Sequence, residues 1–148
     1  MPTMGLPLKA RDVPGRAAAG AFILHSGLGK WKADRATAEG LHGLAANTYP
    51  FLAKLDPVTF TKVLAGAEIA LGTALVTPVV PTALAGLGLS AFSGGLLGLY
   101  AHTEGMREEG TIWPTQQGLP IAKDVWLLGI GLGFVVQGLG ARRSRATD

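Results

Sequence analysis

Residues 60–77 read FTKVLAGAEIALGTALVT, an apolar run that contains a single acid, Glu68, near its middle. A second apolar run, TALAGLGLSAFSGGLLGLYA, occupies residues 82–101. Only residues 78–81, PVVP, separate the two runs. Two long apolar segments joined by so short a turn predict a hairpin of transmembrane helices, because an apolar helix of about 20 residues spans the hydrocarbon core of a bilayer.

The composition of the chain also indicates a membrane protein. The chain has 148 residues, enough for one domain, of which 48% are hydrophobic and 16% charged, and its mean hydropathy is +0.34. Soluble domains carry about 25% charged residues. There is no cysteine, which excludes disulfides, thiolate ligands and thiol catalysis by this chain alone. The net charge of +3 forms no basic stripe, so no nucleic-acid partner is predicted.

Two further apolar runs flank the hairpin. The first, residues 17–29, lies between Arg16 and Lys30 and is short for a span, since its helix would be about 20 Å long. The long side chains of Arg16 and Lys30 can extend it by reaching outward. The alternative is a cleaved signal peptide ending near residues 36–38, ATA, but the basic residues before that site favour a retained span. The last run covers residues 122–139.

The sequence therefore predicts an all-α integral membrane four-helix bundle over residues 16–140, between a weakly ordered tail, 1–15, and a basic tail, 141–148. The first long loop, 31–59, has leucines at amphipathic spacing and predicts one or two short helices at the membrane surface, with a solvated connector as the alternative. Four spans place both termini on one side. Short tails rich in Lys and Arg predict a cell (inner) membrane protein with both termini cytoplasmic.

Glu68 marks the place where chemistry is expected, because an ionisable residue inside a span is costly and usually faces the bundle with a partner. The helical rise places Glu68 about 9 Å beyond Lys62. It places His25 about 7.5 Å from Lys30, so His25 and Glu68 lie at similar depth if the first two spans are antiparallel. Lys30 and Lys123 then lie at the rim. The prediction is either a polar ligand pocket open toward the long loops or an ion pair of Glu68 with His25 or Lys30 that fixes the bundle.

Other motifs carry weaker signals. Gly94-x-x-x-Gly98 and Gly129-x-x-x-Gly133 allow close helix approach and predict packing inside the bundle, with self-association into a homo-oligomer or a partner helix as the alternative. The three histidines match no metal-ligand spacing, so no metal site is predicted. No nucleophile–base set indicates catalytic residues.

Taken together, these elements resemble the DoxX-like family of membrane proteins. The family's R-x3-G-x-F…G-x-x-K signature on the first span is similar to a set of positions here: Arg16, Gly20, Phe22, Gly27 and Lys30. Glu68 with Gly72 resembles the E-x3-G element of the second span, and Lys123-Asp124 before a glycine-rich last span also fits. Residues 105–110, GMREEG, together with residues 114–118, PTQQG, are similar to the same loop in an actinobacterial branch of the family.

The resemblance covers roughly residues 13–140 and implies a four-helix membrane bundle associated with redox systems. Relatives include a subunit of a thiosulfate:quinone oxidoreductase and mycobacterial members linked to membrane complexes that handle oxidative stress. The first hypothesis is therefore a non-enzymatic membrane subunit or scaffold of a respiratory or oxidative-stress redox complex. Its partners would be other membrane or redox proteins and the lipid bilayer.

The alternative hypothesis is a quinone or small-ligand site in an intramembrane pocket, with quinone as its candidate cofactor and oxidoreductase-linked activity. The predicted ligand-binding or structural polar cluster contains Glu68, His25, Lys30, Lys123 and Arg16. A third hypothesis, a small transporter, would need an internal repeat or a discontinuous helix, and the sequence indicates neither, although the break at residues 78–81 leaves the hypothesis open.

Overall fold

The structure is a computed structural model that describes residues 9–146, with side chains described for residues 9–140. This part of the chain is helical and forms no sheet, which confirms the predicted all-α class. Its helices are α1 (Val13–Trp31), α2 (Arg35–Thr48), α3 (Pro57–Val76), α4 (Thr82–His102), the single turn α5 (Leu119–Ala122) and α6 (Asp124–Ala146). Short 3-10 segments cover Ala10–Asp12 and Pro50–Lys54.

Three helices are long and apolar enough to cross a membrane, Pro57–Val76, Thr82–His102 and Leu119–Gly140. They correspond to the second, third and fourth predicted spans, which supports a protein embedded in a membrane. Helix α1 has 19 residues but is not among the three, because it includes the two cations that flank its apolar run, Arg16 and Lys30, and several small or polar residues within that run. That α1 also crosses the membrane stays a prediction.

The helical structure extends further toward both ends than the sequence predicts. It begins at Ala10, inside the predicted tail 1–15, and Asp12 is buried. Residues 1–8 of that tail lie outside the described residues. Helix α6 continues through Ala146, past the predicted domain end at residue 140, and residues 147 and 148 lie outside the described part.

Aspartates set the starts of the two helices that follow the first span. The Asp56 carboxylate accepts hydrogen bonds from the amides of Val58 and Thr59 at 3.0 and 3.1 Å, and so caps α3. Asp34 caps α2 by accepting from the Thr37 amide at 2.8 Å. Hydrogen bonding with Thr37 lowers the pKa of the Asp34 carboxyl. The two caps thus fix where α2 begins within the first long loop and where α3 begins at its end.

The long helices pack as two close pairs, α1 with α3 and α4 with α6. In the first pair, a Cβ built at Gly72 would lie 2.7 Å from the backbone nitrogen of Leu24. In the second pair, a Cβ built at Gly86 would lie 2.7 Å from the carbonyl oxygen of Gly131. Neither distance leaves room for a side chain, so each pair depends on glycine for its backbone-to-backbone approach.

The two predicted G-x-x-x-G motifs do not form these interfaces. A Cβ at Gly94, Gly129 or Gly133 would meet no described atom within 4 Å, whereas one at Gly98 would meet the Tyr49 hydroxyl. The prediction of packing inside the bundle is wrong for the first three glycines. The rotation of α4 and α6 about their axes turns these positions outward, and spacing alone cannot show that rotation.

The end of the bundle nearest the Pro78–Pro81 turn is closed by an apolar core. All of the long helices except α2 contribute to it, through Ala19, Ile23, Leu75, Ala85, Leu89 and Phe134. At the opposite end, nearest the long loops, a separate apolar cluster joins α2, α3 and α4 through Ala45, Phe60 and Leu99. Helices α3 and α4 make few contacts with each other compared with the two close pairs. The two helix pairs therefore meet at one end of the bundle and leave space between them at the other.

Arg16 joins the two pairs at the closed end and is 2% exposed. Its guanidinium donates to the Thr82 hydroxyl at 3.0 Å and, at 2.8–2.9 Å, to three carbonyl oxygens, those of Ala74, Leu75 and Thr77. These carbonyls end α3 and have no partner within the helix. The Thr82 hydroxyl also donates to Asp12 at 3.2 Å. Arg16 therefore caps α3 and ties α1 to the start of α4.

Candidate functional site

A cavity of about 560 Å³ lies between the helix pairs at the end nearest the long loops. Helices α1, α3, α4 and α6 form its walls, and α2 with the Pro50–Lys54 segment covers one side. A cavity of this size matches that of a typical small-molecule site. It lies where the common core of the bundle ends.

Most of the cavity wall is apolar. Representative side chains are Leu44, Leu52, Phe60, Leu64, Phe92 and Leu99. Tyr49 donates a hydrogen bond from its hydroxyl to the Gly95 carbonyl at 2.8 Å, which ties the first long loop to α4. The short helices predicted for this loop are present, and they cover the cavity.

Apart from the Tyr49 hydroxyl, the polar side chains that line the cavity form a cluster of four, Ser26, Lys30, Glu68 and Asp124. Lys30 Nζ lies 3.1 Å from Glu68 Oε1 and 2.6 Å from Ser26 Oγ. The Ser26 hydroxyl lies 3.4 and 3.5 Å from the two Glu68 oxygens. Asp124, partly buried, lines the same cavity and interacts electrostatically with Lys30 and Glu68. One cation therefore faces two carboxylates at the edge of an apolar chamber.

The sequence explains how this cluster forms. Ser26 and Lys30 are four residues apart on α1 and so share one helix face. Gly27 lies against α3, where a Cβ would be 2.9 Å from the Cβ of Glu68. The missing side chain at Gly27 lets the two helices approach closely enough for Glu68, which is 2% exposed, to reach Lys30.

The structure brings Glu68 and Lys30 together but separates the other members of the predicted cluster. His25 is exposed and does not line the cavity. Lys123 is also exposed, and Asp124, the next residue, lines the cavity in its place. Arg16 lies at the opposite, closed end. The spacing of residues along a helix predicts how far along the axis a residue lies. It does not by itself show which side of the helix faces the cavity, since each residue turns the helix by about 100°.

Three side chains of the candidate site were missed by sequence reasoning. Ser26 could have been found from its four-residue spacing to Lys30. The sequence shows Asp124 at the start of the last span, but only the structure shows that it lines the cavity. Tyr49 carried no signal, because its contact with Gly95 joins residues 46 positions apart.

The arrangement can hold the head of an amphiphilic molecule by charge and hydrogen bonds and its tail by apolar contact. Within the described residues, no group of three or more His, Cys, Asp and Glu side chains could hold a metal ion. No family model, curated protein or solved structure matches this chain.

The Lys30→Met variant is expected to be less stable by about 1–3 kcal/mol, because the buried Glu68 carboxylate would keep only its long contacts to Ser26. The loss is smaller than for a fully buried pair since the Lys30 side chain is 23% exposed. Unfolding of the detergent-purified protein measures it. Adding Glu68→Gln should recover most of the loss.

Lys32→Met is the matched control, because Lys32 is exposed and has no ion pair or side-chain hydrogen bond among the described residues. Equal stability of the Lys30→Met and Lys32→Met variants would show that the Lys30–Glu68 pair contributes nothing to folding.

Proposed function

We propose that this protein is a small membrane subunit that binds an amphiphilic molecule of the quinone class in the cavity beside Glu68, as part of a membrane redox system. The observation that carries the proposal is the apolar cavity of about 560 Å³ with its charged side chains gathered in one cluster. Ligand sites are mostly apolar with a few placed polar groups. A quinone has this same division, since its polar ring would contact Lys30 and its isoprenoid tail the apolar wall.

The DoxX-like resemblance supports the same proposal. Two of the residues that carry the resemblance, Lys30 and Glu68, belong to the polar cluster, and relatives of that family work in quinone-linked complexes. The lack of cysteine means that any thiol or sulfur chemistry would be carried by a partner protein.

Four spans, with α1 as the first, are part of the proposal. The two cations that lower the apolarity of α1 are both paired within the protein, Arg16 with carbonyls of α3 and Lys30 with Glu68. Charges inside a membrane are tolerated when they pair away from lipid. With the basic tails in the cytoplasm, the cavity would lie on the outer side of the cell membrane, beneath the long loops.

The alternative function is a scaffold that assembles a redox complex without binding a ligand. The outward glycines favour it, because Gly94, Gly129 and Gly133 leave room for a partner helix or a second copy of this chain. A scaffold would keep its partners when the cavity is filled, whereas the proposed function requires the cavity to be open.

Gly95→Leu is expected to lower the amount of co-purifying amphiphile roughly tenfold or more. Gly95 lines the cavity, and a Cβ there would meet no atom within 4 Å, so a leucine would occupy ligand space without a clash at its Cβ. The protein would be purified in mild detergent from its source membrane. Mass spectrometry of the organic extract measures the bound amphiphile, and mass spectrometry of the co-purifying proteins identifies the partners.

Gly94→Leu is the matched control, because its Cβ also meets open space but Gly94 does not line the cavity. Equal amphiphile content in the two variants, or none in the unaltered protein, would overturn the proposal. A stoichiometric redox partner retained by a protein without any bound amphiphile would instead support the scaffold.

A further inference from the structure

We infer that the cavity selects an amphiphile with a neutral hydroxyl headgroup that donates hydrogen bonds, such as an alkylphenol or, within the quinone class, the reduced hydroquinone. The inference rests on the proposed function and adds the chemistry of the headgroup. It follows from the hydrogen-bond donors and acceptors that the polar cluster leaves unused, and from the charges of the cluster.

The donors of the cluster are largely occupied. The Lys30 ammonium has three N–H groups, of which Ser26 and Glu68 take two, so one is left for a ligand. The Ser26 hydroxyl has a single hydrogen, which lies within reach of both Glu68 oxygens. A ligand that only accepts hydrogen bonds would therefore find one free donor.

The acceptors of the cluster are mostly free. Glu68 Oε2 receives only the 3.5 Å contact from Ser26. The Asp124 carboxylate accepts no side-chain hydrogen bond among the residues with described side chains, although it lines the cavity. Carboxylates offer about four acceptor sites each. The cluster thus needs hydrogen-bond donors from the ligand more than it needs acceptors.

The charges exclude an anionic headgroup. A fatty-acid carboxylate or a phosphate would bring a third negative charge beside Glu68 and Asp124 at the edge of an apolar chamber, where like charges repel strongly. An ammonium headgroup could donate to the carboxylates, but it would lie beside the Lys30 cation and has no lone pair to accept the remaining Lys30 N–H. A neutral hydroxyl avoids both costs, and it can donate to Asp124 while accepting the free N–H of Lys30.

An ether or quinone carbonyl cannot do the same. Each can accept from Lys30, but it has no hydrogen for Asp124, whose carboxylate would be desolvated by the ligand without a new partner. Hydrogen bonds to charged groups are among the stronger ones in proteins. The preference for a hydroxyl over its methyl ether is therefore expected to be about tenfold or more.

The test uses two probes that differ only in this donor, 4-octylphenol and 4-octylanisole, with octanoate as an anionic probe. Binding to the full-length protein in nanodiscs of neutral phospholipid is measured by calorimetric titration against empty nanodiscs. We expect the phenol to bind about tenfold or more tightly than the anisole, and octanoate to bind more weakly than both. Gly95→Leu should abolish specific binding of the phenol.

Asp124→Asn is expected to reduce the ratio of phenol to anisole affinity several-fold, since a neutral amide accepts a weaker hydrogen bond than a carboxylate. Glu109→Gln, an exposed change outside the cavity, should leave the ratio unchanged. An unchanged ratio in Asp124→Asn would overturn the assignment of Asp124 as the acceptor.

The outcomes separate this inference from the proposed function. Equal binding of phenol and anisole, or tighter binding of octanoate, overturns the hydroxyl headgroup while the cavity remains a ligand site. Binding of none of the three probes overturns the proposed function and the inference together.

Discussion

The Arg16→Ala variant is expected to lose about 3–5 kcal/mol of unfolding free energy, the loss typical of a buried charged group removed from its partners. Arg16 donates hydrogen bonds to three carbonyls at the end of α3 and to Thr82, and it is 2% exposed. Without the guanidinium the Leu75 carbonyl stays buried and unpaired, at a cost of about 1–3 kcal/mol, and the partly buried carbonyls of Ala74 and Thr77 also lose their donor. The junction between the two helix pairs would be the first part of the bundle to separate.

Unfolding of the detergent-purified protein, followed by circular dichroism against denaturant, measures the loss. Arg16→Lys should recover only part of it, because an ammonium keeps the charge but lacks the planar fork that reaches several acceptors at once. Arg35→Ala is the control. The Arg35 side chain is 68% exposed and pairs with Glu39 at 3.2 Å, so its loss should stay within about 0.5 kcal/mol. An Arg16→Ala variant as stable as Arg35→Ala would refute the role assigned to Arg16.

The Gly72→Leu variant is expected to destabilise the α1–α3 pair by about 3 kcal/mol or more, at the upper end of the cost of overpacking. A Cβ at Gly72 would lie 2.7 and 2.8 Å from the backbone nitrogen and Cα of Leu24. Backbone atoms cannot rotate away as a side chain can, so the two helices must move apart. Since Ser26 and Lys30 lie on α1 and Glu68 on α3, the same movement should also weaken ligand binding in the cavity.

Gly66→Leu on the same helix is the matched control, because a Cβ at Gly66 would meet no atom within 4 Å. We expect it to change stability by less than about 1 kcal/mol. The comparison keeps the chemical change and the helix constant and varies only the space at the site. Equal stability of the Gly72→Leu and Gly66→Leu variants would contradict the close approach of α1 and α3.

The candidate site could be predicted from the sequence in part. The apolar pattern around Glu68 indicates a buried carboxylate, and the structure places Glu68 at 2% exposure with Lys30, one of its two predicted partners. The predicted alternative pairing with His25 is not formed, because His25 is exposed and does not line the cavity. Ser26, one residue further along, faces Glu68 instead.

The sequence by itself determined the all-helical class and three apolar helices, because hydropathy and the absence of breakers are properties of contiguous residues. It also determined that Glu68 needs a partner. Only the tertiary structure decided which glycines bring the helices together, that α2 covers a cavity, and that Asp124 joins the polar cluster. These features depend on how each helix is rotated about its axis and on contacts between residues far apart in the chain, and a linear pattern records neither.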